Sequence, residues 1–206
     1  MTVRVKVCGM TTEEDVLDAL AAGADAVGFV SGFPESPRNL PLGEALKMAS
    51  AVPPFASAVL VTNTETLEGN VGRLEGSGVS AVQLYGDRPP FRRRLLAMNV
   101  RLIAPVRVGA DSAQAGDADA VLVDSYVPGV FGGSGKAADW GECRKVRDAV
   151  APRPLILSGG LTAENVCSAI RRVEPFAVDV SSGVERAPGR KDIRRVREFV
   201  ARAKSV

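Results

Sequence analysis

The chain has 206 residues, 46% hydrophobic and 24% charged, which is enough for one large domain or two small ones. Its net charge of +2 argues against a nucleic-acid or membrane surface, because neutralising a row of phosphates requires a concentrated basic face. The chain contains no histidine, which excludes Ser-His-Asp and Cys-His nucleophilic sites and histidine-ligated zinc.

Two features of the composition concern localisation. Charges at Arg4 and Lys6 interrupt the first apolar segment, so it does not resemble a secretory signal. No uncharged apolar run reaches the roughly 18 residues of a transmembrane helix. The three cysteines, Cys8, Cys143 and Cys167, are odd in number and lack the spacing of a metal site. These features predict free thiols in a cytoplasmic protein.

Short β-branched runs alternate with helical stretches along the whole chain. The eight candidate strands are Arg4–Cys8, Ala26–Val30, Phe55–Val61, Ala81–Leu84, Arg101–Val106, Ala120–Asp124, Leu155–Ser158 and Phe176–Ser181. Helix-start signals lie between them, at Thr11, Thr64, Asp139 and Thr162, and a short helix is expected around residues 111–116. Each crossover between parallel strands needs such a helix, so the alternation predicts a parallel sheet.

The parallel sheet could be an open doubly wound sheet or a closed barrel. No Gly-x-Gly-x-x-Gly follows the first strand, which weakens a dinucleotide-binding open sheet. Eight strands in this length are near the lower size limit of a barrel, and the sequence shows no linker or internal repeat. We predict an α/β fold, a single-domain (β/α)₈ TIM barrel over residues 1–206. The basic cluster Lys191–Arg197 is interpreted as the solvated surface of its last helix.

Two glycine-rich loops, Ser158–Thr162 and Ser181–Glu185, follow the last two strands, at the barrel end that carries the chemistry in this fold. Glycine lets the backbone approach an anion closely, and a following helix start presents unpaired N–H groups. Either loop alone could be a tight turn. Together they predict a phosphate site formed by Gly159, Gly160, Ser181, Ser182 and Gly183.

Cys8 ends the first strand and shares a strand face with Lys6. If Cys8 points into the barrel mouth, Lys6 lies inside the barrel, where an ammonium needs a partner. Asp179 on the neighbouring eighth strand predicts a Lys6–Asp179 pair. Nearby positive charge can shift a thiol pKa from about 8.5 toward neutrality, so Cys8 could act as a general base. Cys143 and Cys167 fall within helices and are interpreted as small apolar residues.

Asp124 closes the sixth strand, where an acid after an apolar run is costly unless it caps a turn or faces a site. We interpret the long segment after it as a flap over the site, although glycines alone could mean only flexibility. The flap residues are Gly132, Gly133, Ser134, Gly135 and Lys136. Arg38, on the loop after the second strand, could bind a carboxylate through its guanidinium or lie on the surface.

In combination these segments resemble the phosphoribosylanthranilate isomerase family over nearly the whole chain. The matching segments are Val5–Thr11, Gly23–Val30, Ser36–Arg38, Val82–Gly86, Val121–Ser125, Gly132–Lys136 with Asp139-Trp140, Ser158–Val166 and Val178–Glu185. Each is weak alone, but their order and spacing are specific. Tyr85 is a departure, because the family commonly has histidine there, and the loop 31–37 is also less typical.

The resemblance implies an Amadori rearrangement of N-(5′-phosphoribosyl)anthranilate to 1-(2-carboxyphenylamino)-1-deoxyribulose 5-phosphate in tryptophan biosynthesis. By position, Cys8 would be the general base and Asp124 the general acid. Arg38 would hold the anthranilate carboxylate, and the backbone of Gly160, Ser182 and Gly183 the phosphate. Both chemical steps are proton transfers, so we expect no metal and no redox cofactor. A small sugar phosphate is the expected partner, and the chain is expected to be a monomer or homodimer.

Two alternatives remain. Another sugar-phosphate barrel is possible, such as a histidine-pathway ribonucleotide isomerase or a pentulose-phosphate epimerase. The first would show two similar halves, each with its own catalytic aspartate, and the second would need metal-binding histidines. From a different class, the chain could be a catalytically silent phosphate-binding barrel. The presence of both Cys8 and Asp124 at strand ends argues against this reading.

Overall fold

The computed structural model describes residues 2–86, 89–107, 115–124 and 139–206. Eight parallel strands form a closed barrel in chain order, with β1 hydrogen-bonded to both β2 and β8. The strands are β1 Arg4–Cys8, β2 Ala26–Val30, β3 Ser57–Asn63, β4 Val79–Tyr85, β5 Arg101–Arg107, β6 Ala120–Asp124, β7 Leu155–Leu157 and β8 Ala177–Val180. The (β/α)₈ barrel predicted from the alternating pattern is confirmed. That all 206 residues form one domain stays a prediction.

The helices lie between the strands, and a short hairpin follows β8. The helices are α1 Glu13–Ala21, α2 Leu42–Ser50, α3 Thr64–Leu67, α4 Pro89–Ala97, α5 Trp140–Val150, α6 Val166–Val173 and α7 Ile193–Lys204. The hairpin pairs β9 Glu185–Ala187 with β10 Arg190–Lys191. Within the described residues, no helix is both long and apolar enough to cross a membrane.

Side chains alternate between the two faces of each strand, so the barrel has one core outside the sheet, against the helices, and one inside it. Outward-facing residues such as Val5 and Val7 are fully buried between the barrel and the helices. The inward-facing residues form layers, as expected for this fold. The layer toward the strand N-termini is apolar and consists of Val59, Ala81, Ile103, Leu122, Ile156 and Ala177. The next layer toward the C-terminal ends contains buried Lys6, Gln83, Ser158 and Asp179. Polar side chains therefore begin in the barrel interior, directly below the predicted site.

The third strand begins later than predicted. Phe55 was placed at its start, but this residue has a φ of 73° and is fully exposed. Pro53 and Pro54 precede it and cannot donate hydrogen bonds to a neighbouring strand. Pairing with β2 starts at Ser57, opposite Ala26. The other predicted strands agree with the structure to within about two residues, the usual uncertainty of boundaries.

Of the four helix-start signals, two correspond directly to caps. Thr12, in the first signal, caps α1 by accepting from the Asp15 N–H, and Asp139 caps α5. Thr64 opens only a single turn. Thr162 was predicted to cap α6, which instead begins at Val166, because the Asn165 side chain bonds the Thr162 N–H and the Gly160 carbonyl and holds 160–165 as a turn. Most of the helix expected around 111–116 lies outside the described residues.

The prediction that residues 191–197 form a solvated surface is wrong for Lys191. The arginines of α7 in this segment, Arg194, Arg195 and Arg197, are exposed, as expected. Lys191 instead lies on β10 and is only 4% exposed. Its ammonium contacts Glu185 and two backbone carbonyls, which compensate for the loss of water. Both Cys143 in α5 and Cys167 in α6 lie in helices, as predicted.

Candidate active site

A cavity opens at the C-terminal ends of the barrel strands, where the sequence placed the chemistry. Its walls include Cys8 from β1, Asp124 from β6 and Arg38 from the loop after β2. Ser158 and Ser181, the first residues of the two glycine-rich loops, also line it. The fold thus brings together predicted residues that are up to 173 positions apart in the chain. The predicted flap, 132–136, lies outside the described residues.

Cys8 is buried beneath this cavity. A Cβ placed on Gly28, its neighbour on β2, would lie 2.7 Å from the Cys8 Sγ and 3.2 Å from the Lys6 Cε, so glycine makes room for both side chains. Burial raises the pKa of the Cys8 thiol, and the Asp179 carboxylate adds to this effect. The charges of Lys6 and Lys191 act in the opposite direction and favour the thiolate.

A buried polar network lies below Cys8 and confirms the predicted Lys6–Asp179 pair. The Lys6 Nζ is 2.9 Å from the Asp179 Oδ1 and 3.2 Å from the Gln83 Oε1. The Ser158 hydroxyl donates to the other Asp179 oxygen at 3.3 Å. Burial, the largest single effect, would lower the pKa of Lys6, but the charge and hydrogen bond of Asp179 together with the neighbouring Cys8 outweigh it, and the pKa is raised. The ammonium therefore stays charged inside the barrel.

Tyr85 connects this network to the cavity wall. The Gln83 Nε2 donates to the Tyr85 hydroxyl at 3.3 Å, and the Tyr85 ring meets Phe33 edge to face, with centroids 5.6 Å apart. Burial raises the pKa of Tyr85, and the charge of Asp124 raises it further. Tyr85 therefore remains a neutral phenol. With Phe33, Val30 and Val61, it gives the cavity an apolar side.

Arg38 carries an ion pair that the sequence did not reveal. Its Nε and Nη2 donate to the two carboxylate oxygens of Glu185 at 2.8 and 2.7 Å. Lys191 approaches the same carboxylate at 2.8 Å. Arg38 and Lys191 lower the pKa of Glu185 against the effect of burial, so the carboxylate is ionised. In the sequence, Glu185 resembles an ordinary surface acid at the start of a short strand. Only its proximity to two cations in the folded chain identifies it as part of an ion pair.

The two glycine-rich loops contact each other above β7 and β8. Gly159 and Gly160 have φ values of 92° and 62°, a region that favours glycine. A Cβ on Gly183 would overlap the Leu161 carbonyl of the other loop, so this close approach also requires glycine. Within the described residues, the N–H groups of Gly159 and Gly160 have no protein acceptor. The loops thus present backbone donors beside the cavity.

Comparison with known proteins identifies the family. The sequence profile described as N-(5′-phosphoribosyl)anthranilate (PRA) isomerase matches residues 5–202. The chain belongs to this family. A relative from Halobacterium salinarum, named N-(5′-phosphoribosyl)anthranilate isomerase, is 46% identical over 97% of this chain and 95% of the relative.

Solved isomerases of the family share the fold. The phosphoribosylanthranilate isomerase from Thermotoga maritima is 41% identical with a TM-score of 0.82, over 99% of this chain and all of that one. A second solved phosphoribosyl anthranilate isomerase, in complex with reduced 1-(o-carboxyphenylamino)-1-deoxyribulose 5-phosphate, is 38% identical with a TM-score of 0.78 over the same coverage. The structure of this family member is thus a PRA isomerase barrel along its described length.

Proposed function

We propose that the chain catalyses the Amadori rearrangement of N-(5′-phosphoribosyl)anthranilate in tryptophan biosynthesis, with Cys8 as general base and Asp124 as general acid. The observation that carries the proposal is that both side chains line one cavity from different sides of the barrel mouth, on β1 and β6. Family membership supplies the reaction, and this placement supports the two roles.

The first step needs an acid at the furanose ring oxygen. Asp124 donates a proton to this oxygen while the bond from it to C1′ breaks and the nitrogen lone pair forms a C1′=N bond. The product is an open-chain protonated Schiff base. General acid catalysis of this kind contributes about 10²–10⁴-fold to a rate. A carboxyl at the end of β6, pointing into the cavity, is suited to this transfer.

The second step needs a base at C2′. The Cys8 thiolate removes the C2′ proton, the C–H electrons form a C1′=C2′ bond, and the C=N electrons return to nitrogen. The resulting enolamine tautomerises to the ketone. Lys6 and Lys191 favour the thiolate against the effect of burial, and the cationic Schiff base beside the sulfur would favour it further.

The remaining groups hold the substrate. The Arg38 Nη1, which has no protein acceptor within the described residues, would bind the anthranilate carboxylate. The apolar wall of Val30, Phe33 and Val61 would pack against the aromatic ring. The backbone of Gly159, Gly160, Ser182 and Gly183, with the Ser181 side chain, would bind the phosphate. The flap stays a prediction, as do the cytoplasmic location and the monomeric or homodimeric state.

The test is turnover of freshly generated N-(5′-phosphoribosyl)anthranilate, followed by the loss of its fluorescence. We expect turnover by the native chain and a fall of about 10²–10⁴-fold in kcat for Cys8→Ser and for Asp124→Asn. Cys143→Ser is the matched control, because this thiol lies in α5 and does not line the cavity. Full activity in Cys8→Ser would refute its role. A folded native chain that binds phosphate without turnover would refute the enzymatic proposal.

A further inference from the structure

The pair between Arg38 and Glu185 is built more rigidly than a surface ion pair requires. Two parallel N–H···O contacts fix both the position and the plane of the guanidinium. The side chains are 15% and 5% exposed. A buried ion pair loses much of its Coulomb energy to desolvation, so stability alone is a weak reason for one here. The geometry instead fixes the direction of the Arg38 donors that remain.

A second cation anchors the carboxylate from the other side. The Lys191 Nζ donates to the Glu185 Oε1 at 2.8 Å and to the Cys8 carbonyl at 2.6 Å. The backbone of Glu185 is also held, because the Arg195 Nη1 donates to its carbonyl at 2.6 Å. Glu185 therefore connects Arg38 to the backbone of Cys8, and the spacing between these two residues is fixed.

The path of the Arg38 side chain is fixed as well. Gly9 has a φ of 78°, and a Cβ at this position would overlap the Arg38 methylenes and lie 3.1 Å from the Ser181 Oγ. The side chain thus crosses the turn directly after Cys8. The guanidinium is held by Glu185, and the methylenes pack closely over Gly9. The Nη1 has no protein acceptor within the described part of the chain.

We propose that Glu185, anchored by Lys191, is a positioning residue that orients Arg38 and makes the site selective for substrates carrying a carboxylate on the aromatic amine. The proposal rests on the role of Arg38 given above. An argument from charge alone predicts the opposite effect of removing Glu185. The Glu185 charge should repel a substrate carboxylate, so its removal should strengthen binding if charge alone mattered. If orientation dominates, its removal weakens binding.

The experiment compares equilibrium binding of two ligands. One is reduced 1-(o-carboxyphenylamino)-1-deoxyribulose 5-phosphate, and the other is the same compound without the carboxylate. In Glu185→Gln we expect the Kd of the first to rise roughly ten-fold, the size of one lost charge-assisted hydrogen bond. The Kd of the second should stay unchanged. In turnover, KM should rise with little change in kcat, as for an interaction equal in ground and transition states.

Glu174→Gln is the matched control. Glu174 also spans two arginines, Arg144 at 3.1 Å and Arg147 at 3.2 Å, but it is exposed and distant from the cavity. Neither Kd should change in this variant. If Glu185→Gln does not fold, Glu185→Asp replaces it. Aspartate keeps the charge but is one methylene too short for the same two contacts, so the preference should fall here too.

The outcomes separate the two proposals. Equal weakening of both ligands in the Glu185 variants would show a merely structural role, and unchanged or tighter binding of the carboxylate ligand would show that orientation is unimportant. Either result overturns the inference. Arg38→Met should remove the preference on its own. If it does not, the role of Arg38 fails, and that of Glu185 with it. If Arg38→Met removes the preference and the Glu185 variants keep it, only the inference fails.

Discussion

The two ends of the barrel contain the same kinds of ion pair in different surroundings. At the C-terminal end, Arg38 and Glu185 are almost enclosed, and Arg38 lines the cavity that also contains Cys8 and Asp124. At the N-terminal end, Arg4 pairs with Asp25 while its side chain remains 62% exposed. Desolvation makes the first pair a fixed geometric element, whereas water screens the second. Burial and placement, and not the number of charges, therefore distinguish the functional end.

Strand β6 shows this contrast within six residues. Asp119, just before the strand, accepts the Leu102 N–H at 2.7 Å and pairs with Arg92, so its pKa is lowered despite partial burial. Asp124, at the other end of the strand, lines the cavity at the C-terminal end of the barrel. The size of a cavity does not identify the functional end of the barrel, because a groove of about 820 Å³ lies at the opposite, N-terminal end. The position of ionisable groups on the strands is the better guide.

The largest expected effect separates these two aspartates. Asp124→Asn should lower kcat by about 10²–10⁴-fold, because it removes the proposed acid. Asp119→Asn should leave kcat nearly unchanged and lower the free energy of unfolding by about 1–3 kcal/mol, because it weakens a partly buried hydrogen-bonded charge. Steady-state kinetics and urea unfolding measure both. Similar kinetic losses in the two variants would contradict the contrast.

The second prediction concerns the barrel interior. Lys6→Met should lower the free energy of unfolding by about 3–5 kcal/mol, because it leaves the Asp179 carboxylate buried without its cation. Lys6→Met combined with Asp179→Leu should recover most of this loss, since an apolar pair replaces the ion pair. Urea unfolding of both variants measures the effect. If Lys6→Met alone has unchanged stability and activity, the pair is not important.

The third prediction concerns the stability of the fold at acid pH. The pKa of Glu185 is held below its ordinary 4.5, so the charged form stabilises the fold above this pH, and the contribution is lost as pH falls below it. Glu185→Gln should therefore reduce the dependence of stability on pH in this acid range. Glu174→Gln should reduce it less, because its carboxylate is exposed and screened. Urea midpoints over a pH series across 4.5 test this, and equal slopes in both variants would contradict it.

The smallest effect is expected at the N-terminal end. Arg4→Ala should change the free energy of unfolding by less than about 1 kcal/mol, because the pair with Asp25 is largely exposed and Lys204 also binds this carboxylate at 2.9 Å. Turnover should be unchanged, and the effect on thermal unfolding should shrink in high salt. A loss of activity in this variant would show that the two ends are coupled.

Several elements could be predicted because they follow from local rules. The alternation of strands and helices indicates a parallel sheet, and the number of strands favours closure. Closure makes β1 and β8 neighbours, and alternation then places Lys6 opposite Asp179, as the register shows. Cys8 and Asp124 were predicted at the site because each ends a strand, and such ends meet at one face of the barrel. These inferences need only chain order and the period of a strand.

Other features depend on contacts that no local pattern encodes. Phe55 leaves β3 because the backbone after two prolines takes a positive φ, and the position of Thr162 depends on the Asn165 side chain. Lys191 resembled a surface residue of a basic helix, although the hairpin places it under the barrel mouth.

The sequence by itself determined the barrel and the strand ends at which Cys8 and Asp124 lie, because a side chain's place on a strand follows from the period of two and the order of the units. The acid and base roles proposed for these two residues come from the resemblance to the family. Only the tertiary structure decided the surroundings of Arg38. Its partner Glu185 is 147 residues away, and loop and hairpin side chains have no period that would bring them together. Their orientation depends on the packing of the whole barrel mouth, which exists only in the folded chain.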